Sequence, residues 1–262
     1  MAWSLSKVMR IESGDVTITP NDLRPLLSYV GIDDPAEVAD LIDDARSARS
    51  RNRRSWYQRA EFRAHLSDSV RDLLEYEAEA ATIQSFRVFY APAVLQTPGY
   101  TAALLADQAP GGVQALIEIR RRRRAAVQAR LSGDHHLVLL DQSVFERLIG
   151  GPAVLAEQLR ELRSVVVRGA AAIRMLPFDL DTRIANNAGF DLISVDGAGD
   201  VLYRENGTVE EVVEDDSTTE QHLSHFRQLW RAAWDEATTV DFIGCRIATL
   251  EGRPRPVSGR TA

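Results

Sequence analysis

The chain has 262 residues, 45% of them hydrophobic, which is enough for one large domain or two modest ones. Its formal net charge of −7 excludes a global basic field for nucleic acid, so any such contact needs a local patch. The single cysteine, Cys245, excludes an internal disulfide and a cysteine-based zinc site, while the lack of a secretory segment or a ~20-residue apolar run predicts a cytoplasmic protein without membrane contacts.

Three short helices are predicted over residues 1–55. An amphipathic helix opens the chain, and a second begins at Thr19-Pro20, an N-cap followed by proline, and ends at Gly31. Asp34-Pro35 begins the third helix. The Arg/Ser-rich stretch at residues 45–56 is interpreted as the end of that helix or a linker.

Residues 56–82 carry apolar side chains mostly three and four positions apart, which predicts one long helix. The following "SFRVFYAPAVLQTPGY" predicts a strand that leads into a loop. A helix over 113–131 carries five consecutive arginines, Arg120–Arg124, and Pro152 begins another helix. Between these two helices, "HHLVLLD" predicts a buried strand and "QSVFERLIG" a short helix.

Three more strands are predicted in "AAIRMLPF", "FDLISVD" and "DVLYREN", with a tight turn at "GAG" between the last two. The acidic stretch 205–220 follows, and residues 220–237 are predicted to form one final long helix. A helical front followed by helices and strands predicts an α+β protein, an all-α N-terminal part before a mixed α/β domain.

The opening helix offers one candidate nucleic-acid contact. Ser4, Ser6, Lys7 and Arg10 share its polar side, and Lys7 is the single lysine of the chain. A recognition helix needs small polar residues near its N-terminus for base edges, and cations further along for phosphates. Many surface helices look the same, so a purely structural role is the more frequent outcome of this pattern alone.

The run Arg120–Arg124 cannot face one direction, because five consecutive helix positions cover more than a full turn. One interpretation is a solvated helix paired with acidic neighbours such as the stretch Glu210–Asp216. The other is a docking site for an acidic partner or nucleic acid. We favour the first.

The remaining reactive side chains do not assemble into a recognisable site. His222 and His225 have a spacing that can ligate a metal, but no third ligand is evident. Cys245 is interpreted as a core thiol. No phosphate-binding loop, dinucleotide fingerprint or nucleophile elbow occurs. We therefore predict no catalytic residue, no metal and no cofactor.

Several stretches together resemble the Scr1-type antitoxin-like regulators of actinomycetes, an origin that also fits the arginine- and alanine-rich composition. That family combines an Xre/Cro helix-turn-helix with a C-terminal domain called DUF5753. The matching residues, in the family's order, are Pro92–Thr97 with Tyr100, Leu140-Asp141, Phe145, Arg147, Gly150–Pro152, Gln158-Leu159, Leu162, Leu176–Phe178, Phe190, Val201–Tyr203 and Glu205. Two departures are Ala93 and Gln142, where the family has glycine and an acidic residue.

The resemblance implies four segments: an incomplete helix-turn-helix over 1–55, a connecting helix over 56–85, a DUF5753-like domain over 86–250 and a disordered tail over 251–262. The opening stretch matches the third, recognition helix of the family, so the two preceding helices are absent. Three explanations stay open: a start codon assigned too far downstream, a cloned fragment, or a paralogue that no longer binds DNA.

The leading hypothesis is a transcriptional regulator. Its partners would be DNA, once the missing helices are restored, and a small acidic protein; reading a palindrome would require a homodimer. The alternative is a DNA-independent paralogue that binds a small molecule, or a repurposed enzyme, with a pocket near the loop "APAVLQTPGY" and the strands over 176–205. The residues expected to bind the partner or ligand are Gln96, Tyr100, Arg121, Arg124, Phe178, Tyr203 and Glu205.

Overall fold

The computed structural model describes residues 11–12, 18, 20–106, 110–180, 189–195, 199–205 and 210–252. The chain divides into two compact units after Asp68. Most of the predicted opening helix, the turn at 196–198 and residues 253–262 of the predicted tail lie outside the described residues. Within them, the α+β class is confirmed, with ten α-helices and a six-stranded mixed sheet.

Two helices of the first unit lie where the cap and turn residues of the sequence predict them. Helix α1 spans Pro20–Val30 and is followed by Gly31, whose φ of +83° suits glycine. Helix α2 spans Pro35–Arg54, and the amide of Ala36 donates to Oδ1 of Asp34 at 2.9 Å. Of the two interpretations of residues 45–56, the helix end is confirmed and the linker is wrong for most of the stretch, because α2 continues to Arg54.

These two helices share a small apolar core. Leu23 and Leu27 of α1 are buried together with Ile42 of α2. Positions 23 and 27 are four apart and therefore lie on one face of the helix, which explains why both meet the same neighbour. Pro25 lies between them without ending α1.

The single long helix predicted over residues 56–82 is wrong. The segment instead contains a 3₁₀ turn at Trp56–Gln58, helix α3 at Ala60–Arg63 and helix α4 at Asp68–Glu79, and strand β1 begins at Ala80. The apolar residues of this segment keep their helical spacing because α3 and α4 each bury some of them. Strand pairing on both sides of β1 then overrides the helical propensity of the alanine-rich stretch around Ala80.

The second unit is built on one six-stranded sheet in the order β3-β2-β1-β4-β5-β6. Strands β1, β2 and β3 are parallel, and each later strand is antiparallel to its neighbour. The strands are β1 Ala80–Arg87, β2 His136–Asp141, β3 Ala172–Leu176, β4 Phe190–Val195, β5 Gly199–Glu205 and β6 Glu210–Val213. Strands β2 to β5 match predicted strands in position, and β1 begins five residues before the predicted strand at Ser85. Strand β6 lies in the acidic stretch, where no strand is predicted.

Helices surround this sheet on both faces. They are α5 Pro98–Leu104, α6 Pro110–Arg130, α7 Gln142–Glu146, α8 Pro152–Val167, α9 Asp216–Ala232 and α10 Glu236–Leu250. The single final helix predicted over 220–237 is wrong, because α9 ends at Ala232 and Asp235 caps a second helix. Oδ1 of Asp235 accepts from the amide of Thr238 at 2.8 Å.

Each face of the sheet has its own apolar core. On one face, Phe226 and Leu229 of α9 pack with Phe86 and Phe190 of the strands. The other face packs against helices that include α8 and α10. Among the described residues, no helix combines the length and the apolar character that crossing a bilayer requires.

Candidate functional site

The parallel strands bring three chain segments to one edge of the sheet. The carboxyl ends of β1, β2 and β3 lead into residues 88–90, 142–143 and 177–178. Strand β5 runs in the same direction as β1 and ends at this edge with Glu205. In open α/β sheets, ligands bind outside the carboxyl ends of the strands. This carboxyl edge is therefore the expected location of a functional site.

Side chains tie the three strand ends together. Oγ of Ser143 donates to the Val88 carbonyl, and the amide of Phe178 donates to Oε1 of Gln142 at 2.9 Å. Asp141 holds Ser143 in place by accepting from its amide at 2.8 Å. Gln142, which departs from the acidic residue of the family, thus supplies an acceptor oxygen to the next strand end.

Large apolar side chains are exposed at this edge. Phe89, Leu148 and Phe178 are 54%, 52% and 63% accessible. The guanidinium of Arg147 lies over the Phe89 ring, 5.4 Å from its centroid, and no carboxylate of the described residues pairs with it. We call Phe89, Arg147, Leu148 and Phe178 the edge patch. Exposed apolar side chains grouped this way are typical of interaction sites.

Gln96 holds the loop that resembles the family signature. Its Nε2 donates to the Ala91 carbonyl at 2.7 Å. Its Oε1 accepts from Oγ1 of Thr101 at 3.1 Å and from Nη1 of Arg120 at 2.9 Å. Gln96 is buried, so it positions the loop and contacts Arg120, and is not itself an exposed contact residue.

Tyr100 and Gln158 complete the same loop from inside. The side chain of Gln158 accepts from the Thr97 amide and donates to the Leu95 carbonyl, both at 2.8 Å. Tyr100 is fully buried, its hydroxyl accepts from the Ala91 amide at 3.4 Å, and burial raises its pKa to about 12. The signature residues therefore build the loop, and none of its buried side chains is free to bind a partner directly.

Four members of the arginine run form ion pairs with glutamates. The pairs are Arg121 and Arg122 with Glu118, Arg123 with Glu77, and Arg124 with Glu161. The prediction that the stretch Glu210–Asp216 supplies the acids is wrong for these pairs. These acids come from α4, from α6 itself and from α8. Arg121 is 64% exposed at its side chain and Arg124 is 22% exposed.

Arg120 differs from the other four arginines. Among the described residues its one hydrogen-bond partner is the amide oxygen of Gln96, and no carboxylate lies within ion-pair distance. Burial and the nearby charge of Arg123 lower the pKa of Arg120 to about 10, with Glu205 acting in the opposite direction. The guanidinium therefore stays charged at neutral pH without an ion-pair partner.

Tyr90 interacts electrostatically with both Arg120 and Glu205. Burial and the negative charge of Glu205 raise the pKa of Tyr90 to about 12, and Arg87 and Arg120 oppose that shift. Tyr90 and Glu205 are both half-buried. The three side chains thus form a mixed polar cluster at the carboxyl edge, which we call the Arg120 cluster. The sequence singled out Glu205 and the arginine run as a whole, but did not distinguish Arg120 within the run and missed Tyr90.

A buried charged layer lies beneath this cluster. Nη2 of Arg87 donates to Oδ2 of Asp191 at 2.5 Å, and Ser85 donates to the other oxygen of Asp191 at 2.6 Å. Tyr203 is opposite Asp191 in the next strand and is also buried. Its position in the core indicates that it supports the sheet and is screened from a partner.

Gly189 makes room for the Arg87 side chain. A Cβ at this position would lie 3.0 Å from the Phe86 carbonyl oxygen and 3.2 Å from Cδ of Arg87. The Arg87 guanidinium also donates to the Phe86 and Phe190 carbonyls at 2.8 and 2.7 Å. A side chain here would displace an arginine that satisfies three acceptors at once.

The other candidates do not assemble into a site. Ser4, Ser6, Lys7 and Arg10 lie outside the described residues. His222 shares a hydrogen bond with the Thr218 carbonyl at 2.8 Å through Nδ1. Over the described part of the chain, no three His, Cys, Asp or Glu side chains form a group suited to a metal ion.

Comparison with known proteins identifies the family of the second unit. No curated protein and no solved structure matches the chain. A family model described as "Domain of unknown function (DUF5753)" matches residues 70–244, which is about two-thirds of the 262 residues. The match covers the sheet, the carboxyl edge and the arginine helix. The chain therefore belongs to the DUF5753 family.

Proposed function

We propose that the chain is a regulator whose DUF5753 domain binds a small acidic partner protein at the edge patch and whose N-terminal helices bind DNA. The observation that carries the partner-binding part is the exposure of Phe89 and Phe178 at the carboxyl edge, with Arg147 over the Phe89 ring. The DNA-binding part rests on the resemblance to Xre/Cro-type regulators.

The chemistry of the edge patch supports an acidic partner. Phe89 and Phe178 offer large apolar surfaces, and aromatic residues and arginine are enriched at the centres of protein interfaces. Arg147 has the Phe89 ring beneath it and no carboxylate partner in the described part of the chain. A partner carboxylate would complete this arrangement, because a guanidinium binds carboxylates with two parallel hydrogen bonds.

Position-specific crosslinking tests the partner-binding surface. A photoreactive phenylalanine analogue at position 89 of the full chain should give, in the source cells, one adduct with a small acidic protein. Val167 supplies the matched control. It is 74% exposed but ends α8, just before β3 begins, and so lies towards the opposite edge of the sheet. The same analogue at position 167 should give no such adduct.

Affinity then tests the role of the charge. Arg147→Glu should weaken binding of the crosslinked partner by about tenfold or more, because it places like charges together, whereas Val167→Ser should leave the Kd unchanged. Isothermal titration calorimetry measures both variants. Equal adducts at positions 89 and 167, or an unchanged Kd for Arg147→Glu, would contradict the edge patch as the binding surface.

Fluorescence anisotropy tests the DNA-binding part. The chain, and a version extended upstream in its reading frame, are titrated against DNA from the protein's own promoter. Lys7→Ala combined with Arg10→Ala should weaken binding by about tenfold and flatten its salt dependence, because phosphate contacts release counterions. Arg160→Gln, which removes an exposed arginine paired with Glu251, is the control. Absence of promoter binding by both lengths of the chain would contradict DNA binding.

A further inference from the structure

We propose that Arg120, together with Gln96 and Tyr90, forms a binding subsite for a small oxyanion, the carboxylate or phosphate group of a small-molecule ligand. The subsite lies at the carboxyl edge beside the edge patch. It does not depend on a partner protein or on DNA.

The first argument is the unused hydrogen-bonding capacity of Arg120. A guanidinium has five N–H donors in a planar fork, and the described residues supply one acceptor, Oε1 of Gln96 at 2.9 Å. None of the Arg120 nitrogens is among the buried atoms that lack a partner. Arg120 is half-buried, so part of its side chain reaches solvent, where an anion can meet the remaining donors.

The second argument is that neighbouring groups fix the fork in place. Gln96 is buried and makes hydrogen bonds to the Ala91 carbonyl and Thr101 hydroxyl, so its amide oxygen has one orientation towards Arg120. Arg123, one turn away on the same helix, is neutralised by Glu77 at 2.6 Å. Arg120 is thus a pre-positioned cation whose charge is not cancelled by a direct ion pair, the arrangement that favours oxyanion binding.

The carboxylate of Glu205 influences how tightly Arg120 binds an oxyanion. The negative charge of Glu205 acts on both Tyr90 and Arg120. It balances the field of Arg120 in the free protein and weakens the binding of a second negative charge. Removing the Glu205 charge should therefore tighten oxyanion binding, an effect opposite to that of removing Arg120.

Nuclear magnetic resonance titration of the full chain tests this subsite. Sodium acetate and inorganic phosphate are added in separate arms at constant ionic strength, with chloride as the balancing anion. The Arg120 Nε–Hε signal and the backbone amides of Tyr90 and Thr101 should shift and saturate with at least one anion. Saturation by acetate alone assigns a carboxylate ligand, and saturation by phosphate alone assigns a phosphate ligand.

Three variants separate this subsite from nonspecific binding. Arg120→Gln should weaken the amide-detected affinity by about tenfold or more, and Glu205→Gln should tighten it. Arg160→Gln, which removes an exposed arginine paired with Glu251, should leave it unchanged. Arg120→Lys, which keeps the charge but loses the fork, should fall between Arg120→Gln and the wild type, and it replaces Arg120→Gln should that variant not fold. Failure of both anions to saturate at concentrations on the order of tens of millimolar, or an unchanged affinity in Arg120→Gln, would overturn the proposal.

Discussion

Adjacent arginines of α6 differ sharply in their hydrogen-bond and ion-pair partners. Arg121 and Arg120 are adjacent in sequence, yet Glu118 pairs with the first and an amide oxygen is the partner of the second. One position along a helix turns a side chain by about 100°. Adjacent members of an arginine run therefore meet different neighbours, and composition alone cannot identify the one left without an acid.

A buried histidine makes the stability of the domain depend on pH. His136 is fully buried in β2, and both of its ring nitrogens are shielded from solvent. Burial lowers the pKa of His136 to about 4, against smaller opposing effects of Asp191 and the Ala170 backbone. An unfolded histidine has a pKa of about 6.5, so the unfolded chain binds more protons between these two values.

The first stability prediction follows from that difference. The free energy of unfolding should fall as pH drops from about 6.5 towards 4, with a contribution from His136 of up to roughly 3 kcal/mol. Urea unfolding across this range measures the fall. In His136→Leu the fall should be smaller by that amount, because effects of the carboxylates are common to both proteins and cancel in the comparison.

The neighbouring histidine supplies the control for this prediction. His135 is exposed and adjacent in sequence, so His135→Gln should leave the pH dependence of the unfolding free energy as it is in the wild type. If His136→Leu shows the same slope as the wild type between pH 6.5 and 4, the neutral buried histidine is not the origin of the effect.

At the scale of elements, the sequence predicted those whose ends carry local signals. Pro152 at the first turn of α8 and the glycine after α1 mark boundaries that depend on neighbouring residues alone. Strands β2 to β5 were predicted from short apolar or alternating runs. These patterns survive in the structure because both faces of the sheet are covered by helices.

The elements that sequence reasoning missed depend on contacts distant along the chain. Strand β1 begins directly after α4 because its residues pair with β2 and β4, whose partners come more than 50 positions later. Helix α10 contains several β-branched residues that lower its helix propensity. Its Asp235 cap and its packing on β3 and α8 stabilise it nonetheless.

The candidate site was only partly predictable for the same reason. Resemblance identified the loop with Gln96 and Tyr100, but only packing reveals that both side chains point inward. The edge patch combines Phe89, Arg147 and Phe178, which follow three different strands. Parallel pairing brings them to one edge, and their sequence positions give no indication that they are neighbours.

At the scale of the whole molecule, the two units have separate apolar cores. In the first, Leu23, Leu27 and Ile42 are buried together; in the second, Ile173 of β3 belongs to the large cluster on one face of the sheet. The clusters share no member. Two cores of this kind favour unfolding as two units and not as a single cooperative one.

The last prediction concerns this independence. Ile42→Ala should destabilise the first unit by about 2–5 kcal/mol, because the buried side chain leaves a cavity, and hydrogen exchange should accelerate across α1 and α2. Exchange in β1, β2 and β3 should stay at the wild-type rate. Ile173→Ala is the reciprocal variant and should accelerate exchange in the strands alone. Hydrogen-exchange mass spectrometry on the full chain measures both, and a rise in both units from either single substitution would mean that the two cores unfold together.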